Sequence, residues 1–162
     1  MDDILLVYAD GSDWDSDAMI MDFETNCYHS PLTLENAKEN TFLESTFKIE
    51  NNKFRFWIKN DNTFEQPNKI WRYQRFESAT SFEQRRAHGR AVLSSALLKV
   101  HRMASDAETL HQSAVQKLAE FARLGYPRGL LRQQCSKMAT TQGTYEWIRV
   151  RDNVMTWFRD LD

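Results

Sequence analysis

Residues 41–59 read TFLESTFKIENNKFRFWIK, and this stretch decides the fold class. From Lys53 to Lys59 the side chains alternate, with Phe54, Phe56 and Ile58 on one face and Arg55, Trp57 and Lys59 on the other. A period of two belongs to an extended strand. Phe42 to Glu50 alternates more loosely, and Asn51-Asn52 supplies two residues that tolerate positive φ, so the pair reads as a β-hairpin.

Working toward the N-terminus, Ile4 to Ala9 is rich in branched and aromatic residues and stops at Asp10-Gly11-Ser12, which reads as a strand closed by a turn. Ser12 or Asp13 caps a predicted helix from Trp14 to about Tyr28, broken by Ser30-Pro31. Leu32 and Leu34 mark a short extended segment, and Asp61 to Gln66 a polar loop with Pro67 confirming the break.

Toward the C-terminus the pattern turns helical. Ser81 with Gln84 is a capping-box signal ahead of an apolar-rich helix, Ala91 to Met103. Ser105 with Glu108 repeats the signal before a helix from His111 to Leu124, ended by Gly125. Pro127 opens a third helix, to about Met138, followed by a loop at Thr140 to Thr144 and a terminal helix or strand–helix mixture from Glu146 to Leu161. The expectation is α+β: a small antiparallel sheet with a packed helix over residues 1–66, then a mostly helical bundle over 67–162, with the seam near 66–80.

At 162 residues, 41% hydrophobic and 27% charged, the chain has the composition of a soluble globular domain. It shows neither a membrane-spanning apolar run nor a secretory leader, so an intracellular protein with no membrane partner is expected. Cys27 and Cys135 stand in unlike contexts and read as free thiols. A net charge of −2 conceals a split. Residues 1–65 hold 14 acids against 5 bases, and residues 66–162 hold 9 acids against 16 bases. Two surfaces of opposite sign are implied, the basic one suited to nucleic acid or simply to solvent.

Asp2 and Asp3 stand side by side at the head of the first apolar strand, in MDDILLV. Paired carboxylates at a strand tip are what a two-metal polymerase needs to hold Mg2+. Taken in order, this pair, the following helix, the Leu-x-Leu segment, TFLESTFKIENNKFRFWI and the basic helices leading to GYPRGLL resemble part of a reverse transcriptase of the non-LTR or Penelope-like retroelement type. The resemblance covers roughly residues 1–138. It implies that residues 1–66 are part of the palm and that the helices form a thumb gripping an RNA–DNA template–primer duplex. Asp2 and Asp3 then become catalytic metal ligands, and Lys38 stands where the family often has a lysine able to protonate pyrophosphate.

The departures are that Met1 lacks the aromatic residue usual before the acids, and Glu44 stands where an aspartate is usual. The fingers and the first palm strand, with its further carboxylate, are not in this chain. The expectation is therefore a polymerase fragment that is inactive alone and depends on a partner for the missing parts. The alternatives are a nucleic-acid-binding module without catalysis and a structural or interaction protein of retroelement origin.

The basic set is Arg85, Arg86, Arg90, Lys99, Arg102, Arg123, Arg128 and Arg132. Sharing a face, these residues would neutralise backbone phosphates. Trp57, Trp71, Tyr73 and Phe76 are candidates for stacking on bases, although packing is the commoner use of such aromatics. His88, His101 and His111 fit no local zinc spacing. No serine or cysteine nucleophile has a histidine–acid pair at a recognisable spacing. The polymerase reading requires Asp2 and Asp3 to face a cleft that Arg85 and Arg90 also approach.

Overall fold

A computed structural model describes residues 15–26, 40–60, 72–78 and 81–157. Five helices and three short strands are found among them, and the class is α+β. The chain divides into two compact units, Met1–Leu43 and Glu44–Asp162.

In the first unit the described elements are helix α1 (Ser16–Asn26) and strand β1 (Thr41–Phe42). The helix starts two residues later than the apolar pattern suggests, because its cap is Asp15. That carboxylate accepts from the amides of Asp17 and Ala18 at 3.1 and 3.2 Å. The expected strand Ile4–Ala9 and the Leu32/Leu34 segment lie outside the described residues.

The second unit begins with the expected hairpin, β2 (Ser45–Glu50) and β3 (Lys53–Ile58). The strands are antiparallel, in a register that opposes Phe47 to Phe56 and Ile49 to Phe54. Asn51 and Asn52 both take positive φ, 52° and 57°, the pairing whose twist matches a two-residue hairpin. On the Phe54 face only Ile58 is buried, while Phe54 is 50% and Ile49 73% exposed.

Helix α2 (Phe82–Arg102) opens at Ser81, whose hydroxyl accepts from the Gln84 amide. It therefore starts nine residues before the apolar stripe does. Helix α3 (Ala107–Arg123) is capped not by Ser105 but by its neighbour Asp106, in a reciprocal box with Thr109. The α2–α3 corner is pinned to the hairpin edge. Ser105 donates its amide to the Phe56 carbonyl at 3.0 Å and accepts from the Phe56 amide at 3.1 Å.

Helix α3 ends in a Schellman motif. Tyr126 N–H bonds the Phe121 carbonyl and Gly125 N–H that of Ala122, which demands the left-handed backbone of Gly125 (φ 81°). Pro127 then sits at the cap position, one residue before α4 (Arg128–Gln142). Helix α5 (Glu146–Trp157) follows left-handed Gly143.

Helix α5 packs on α3 and α4, and α2 packs on the same two helices. Between them Trp147, Phe121, Leu93, Leu97, Leu118, Leu131, Val100, Val150 and Cys135 are wholly buried. At about 25 cal/mol per Å2 of apolar surface removed from water, such side chains are the main source of the unit's stability. Burial pushes the Cys135 thiol up to about 12, so it stays protonated and unreactive. Cys27 lies outside the described residues.

Residues 72–78 form a strap over this bundle. Tyr73 packs on Phe121 with ring centroids 4.7 Å apart, Phe76 packs on Tyr126 at 5.2 Å, and the Phe76 amide donates to the Leu124 carbonyl at 2.9 Å. Gly89 of α2 is buried beneath the strap. A Cβ there would come within 3.1 Å of the Phe76 ring and 3.3 Å of the Tyr126 ring, so any larger residue would make the strap give by a few tenths of an ångström.

Candidate nucleic-acid interface

The expected metal ligands Asp2 and Asp3, together with Lys38 and Trp71, lie outside the described residues. Among the described residues no group of three or more His, Cys, Asp or Glu could hold a metal ion. The described part of the candidate site is therefore the basic helical surface.

Helix α2 carries five of the expected cations, in differing surroundings. Arg90, Ser94, Leu98 and Arg102 recur every four residues and so form one slowly winding row along the helix. Lys99 lies off this row and is ion-paired with Glu44. Arg86 and Arg102 are exposed, and Arg85 is half-buried with interactions of its own. Arg123, close to the end of α3, and Arg128, first in α4, are also engaged. Arg132 is exposed one turn before Ser136, which accepts from Arg151 of α5. That places Arg132 on the α5 side of α4, away from α2. The eight cations are thus spread over several faces.

One concave feature does gather cationic and hydroxyl groups. Between α2 and α4 lies an open cleft of about 370 Å3, lined by Arg90, Ser94 and Ser95 from α2 and by Gln134 and Lys137 from α4. Ala91 and Leu98 supply its apolar wall, and no acid is found among the described residues that line it. Arg90 Nε and Gln134 Oε1 are buried atoms without a hydrogen-bond partner among the described residues. Of the lining residues, only Arg90 was expected from sequence. Lys137, Gln134 and the serines were missed because their role depends on which flank of α4 meets α2, and local pattern does not encode that.

The aromatic candidates divide as well. Tyr73 and Phe76 are taken up by the strap, with the Lys117 ammonium 5.4 Å from the Tyr73 ring centroid. Burial, then the nearby Glu120 carboxylate, raises the Tyr73 pKa. Trp57 is half-buried on the hairpin. Among the histidines, His88 is exposed, and His101 accepts from the Trp147 indole N–H at 3.3 Å. His111 pairs with Asn153 at 3.0 Å. No protein-family model matches the chain, and neither a curated protein nor a solved structure matches it.

Proposed function

We propose that this chain is the palm-and-thumb portion of an RNA-directed DNA polymerase of retroelement type, and that its second unit grips the sugar–phosphate backbone of a template–primer duplex. Two kinds of support stand behind this. The first is the order of quoted motifs, from Asp2-Asp3 through the hairpin to Gly-Tyr-Pro. The second, which carries the proposal, is the α2/α4 cleft, where Arg90 and Lys137 accompany two serine hydroxyls and no acid stands among the described lining residues. Guanidinium, ammonium and hydroxyl donors together are the usual complement of a backbone phosphate. Asp2 and Asp3 are proposed as Mg2+ ligands of the wider enzyme, and a protein partner as the source of the remaining palm and fingers.

The test is a salt titration of an RNA–DNA hybrid. With Arg86, Arg90, Arg102 and Lys137 on phosphates, log K should fall against log salt with a slope of roughly −3 to −4, at about 0.9 per contact. A flat dependence removes the reading.

A second reading, an interaction protein, has one observation in its favour. Ile49 and Phe54 oppose one another on the hairpin and expose apolar surface. Replacing both with lysine should then abolish a protein complex while leaving hybrid affinity unchanged or higher.

A further inference from the structure

Buried polar side chains in the second unit are mostly satisfied. Lys117 and Glu120, nearly inaccessible on α3, face one another at 2.7 Å. Against that background three buried side-chain atoms lack a partner among the described residues: Arg90 Nε, His111 Nδ1 and Gln134 Oε1. Two of the three belong to residues lining the same α2/α4 cleft. Both atoms are closed to solvent as the side chains stand, so a ligand in the cleft reaches them only when the Arg90 and Gln134 side chains turn toward it.

The two atoms are opposite in kind. Arg90 Nε–H can only donate and Gln134 Oε1 can only accept, yet they are not bonded to each other. A third group that satisfies both must offer an acceptor to Arg90 and a donor to Gln134. Arg90, Lys137 and the absence of an acid among the described lining residues favour an anionic ligand, while Ala91 and Leu98 admit a small apolar face. A bare backbone phosphate answers Arg90 and Lys137 but has no proton for Gln134. A deoxyribose phosphate within a strand has none either. A ribose phosphate has all three features, because its 2′-hydroxyl donates beside the anion.

We propose that the α2/α4 cleft seats one ribose-phosphate unit of an RNA strand, with the phosphate against Arg90 and Lys137 and the 2′-hydroxyl donating to Gln134 Oε1. This rests on the nucleic-acid reading above and narrows it, because it makes the cleft a sensor of sugar type. The seat distinguishes RNA from DNA by one hydrogen bond and reads no base. A water bridging Arg90 and Gln134 is the competing occupant, and it predicts indifference to the sugar.

The experiment uses the whole chain and single strands of one sequence, about 12 nucleotides long, made as RNA, DNA and 2′-O-methyl RNA, with affinities read by fluorescence anisotropy. RNA should bind about tenfold tighter than DNA, the discrimination one such hydrogen bond supplies. The 2′-O-methyl strand keeps the oxygen and the A-form sugar but has lost the proton, so it should fall to the DNA level without any change to the protein. Gln134→Leu should bring RNA to the DNA level and leave DNA affinity unchanged. Exposed Lys137→Ala should weaken RNA and DNA alike.

Equal affinity for RNA and the 2′-O-methyl strand overturns the seat, while salt-dependent binding of all three strands leaves the wider nucleic-acid reading in place. No binding of any strand at low salt overturns the seat, while the hybrid titration decides the duplex reading by itself. Adenosine 5′-monophosphate, added as competitor, separates the two sources of a ribose phosphate. Displacement of RNA only at millimolar nucleotide supports a strand seat, whereas nucleotide binding as tight as the strand's overturns it.

Discussion

Arg55 on the hairpin and Arg90 on α2 are the same residue type, both half-buried and both in the second unit, yet their surroundings are opposite. Arg55 Nε donates to Asp106 Oδ2 at 2.9 Å, and its terminal nitrogens reach Asp106 Oδ1, Glu108 and Glu50. These contacts raise the Arg55 pKa, the Asp106 hydrogen bond foremost, and the same bond holds the Asp106 carboxyl well below the usual carboxylate range. Arg55 thus ties β3 to the first turn of α3, and its charge is consumed in doing so. Arg90 lines a cleft with no acid among its described residues, and its Nε has no partner among them either. The difference lies in which element faces each residue, and it separates a cation whose charge the fold consumes from one whose Nε no described group engages.

The largest effect belongs to the extreme case of a consumed charge, Lys117. Its side chain is 4% exposed against Glu120 at 2%. Lys117→Met strips a buried carboxylate of its cation and should cost about 3–5 kcal/mol in urea unfolding. The double change Lys117→Met with Glu120→Leu should recover most of that, because an apolar pair removes both charges together. A loss below about 1 kcal/mol for the single change would show that burial, and not pairing, sets the cost.

Next comes the Arg55 cluster, reached through Asp106. Asp106→Ala removes the α3 cap and should cost about 1 kcal/mol. Asp106→Asn keeps a capping oxygen and loses only the charge, so its deficit isolates the ion pair. The native Asp106 pKa is depressed, so its contribution is present above the unfolded value near 3.9 and is lost as pH falls through the lower folded value. The gap in stability between wild type and Asp106→Asn should hold steady between about pH 6 and 8 and narrow below about pH 4. A gap that widens in acid would reverse the assignment.

How far these surroundings could be read from the chain follows from whether they are local. The hairpin was legible because Asn51-Asn52 and the alternation of Phe54, Phe56 and Ile58 are both short-range signals. Residues 82–90 carry no continuous apolar stripe, so the pattern alone places the apolar helix from Ala91. The early turns of α2 are held by Ser81 and by the strap lying over Gly89, a contact made from a distant segment. Thr140 and Thr141 suggested a loop, but their hydroxyls bond back to the Ser136 and Lys137 carbonyls, and α4 runs on to Gln142. The basic set was legible as composition and not as a surface. Nothing near Lys99 in sequence announces Glu44, and nothing near Arg90 announces Gln134.

The smallest expected effect on stability is the one that bears most on the comparison. Arg90→Met keeps the aliphatic stem on α2 and removes a buried donor that no described group accepts from. Leaving such a donor buried costs about 1–3 kcal/mol, so its removal should change stability by less than about 0.5 kcal/mol or raise it slightly. Over the same substitution, affinity for an RNA–DNA hybrid should fall about three- to tenfold, with the salt slope shallower by about one phosphate contact. The two readouts are independent, one from denaturant melts and one from binding isotherms. A stability loss above about 1 kcal/mol with hybrid affinity unchanged would place Arg90 with Arg55 among the cations the fold itself uses.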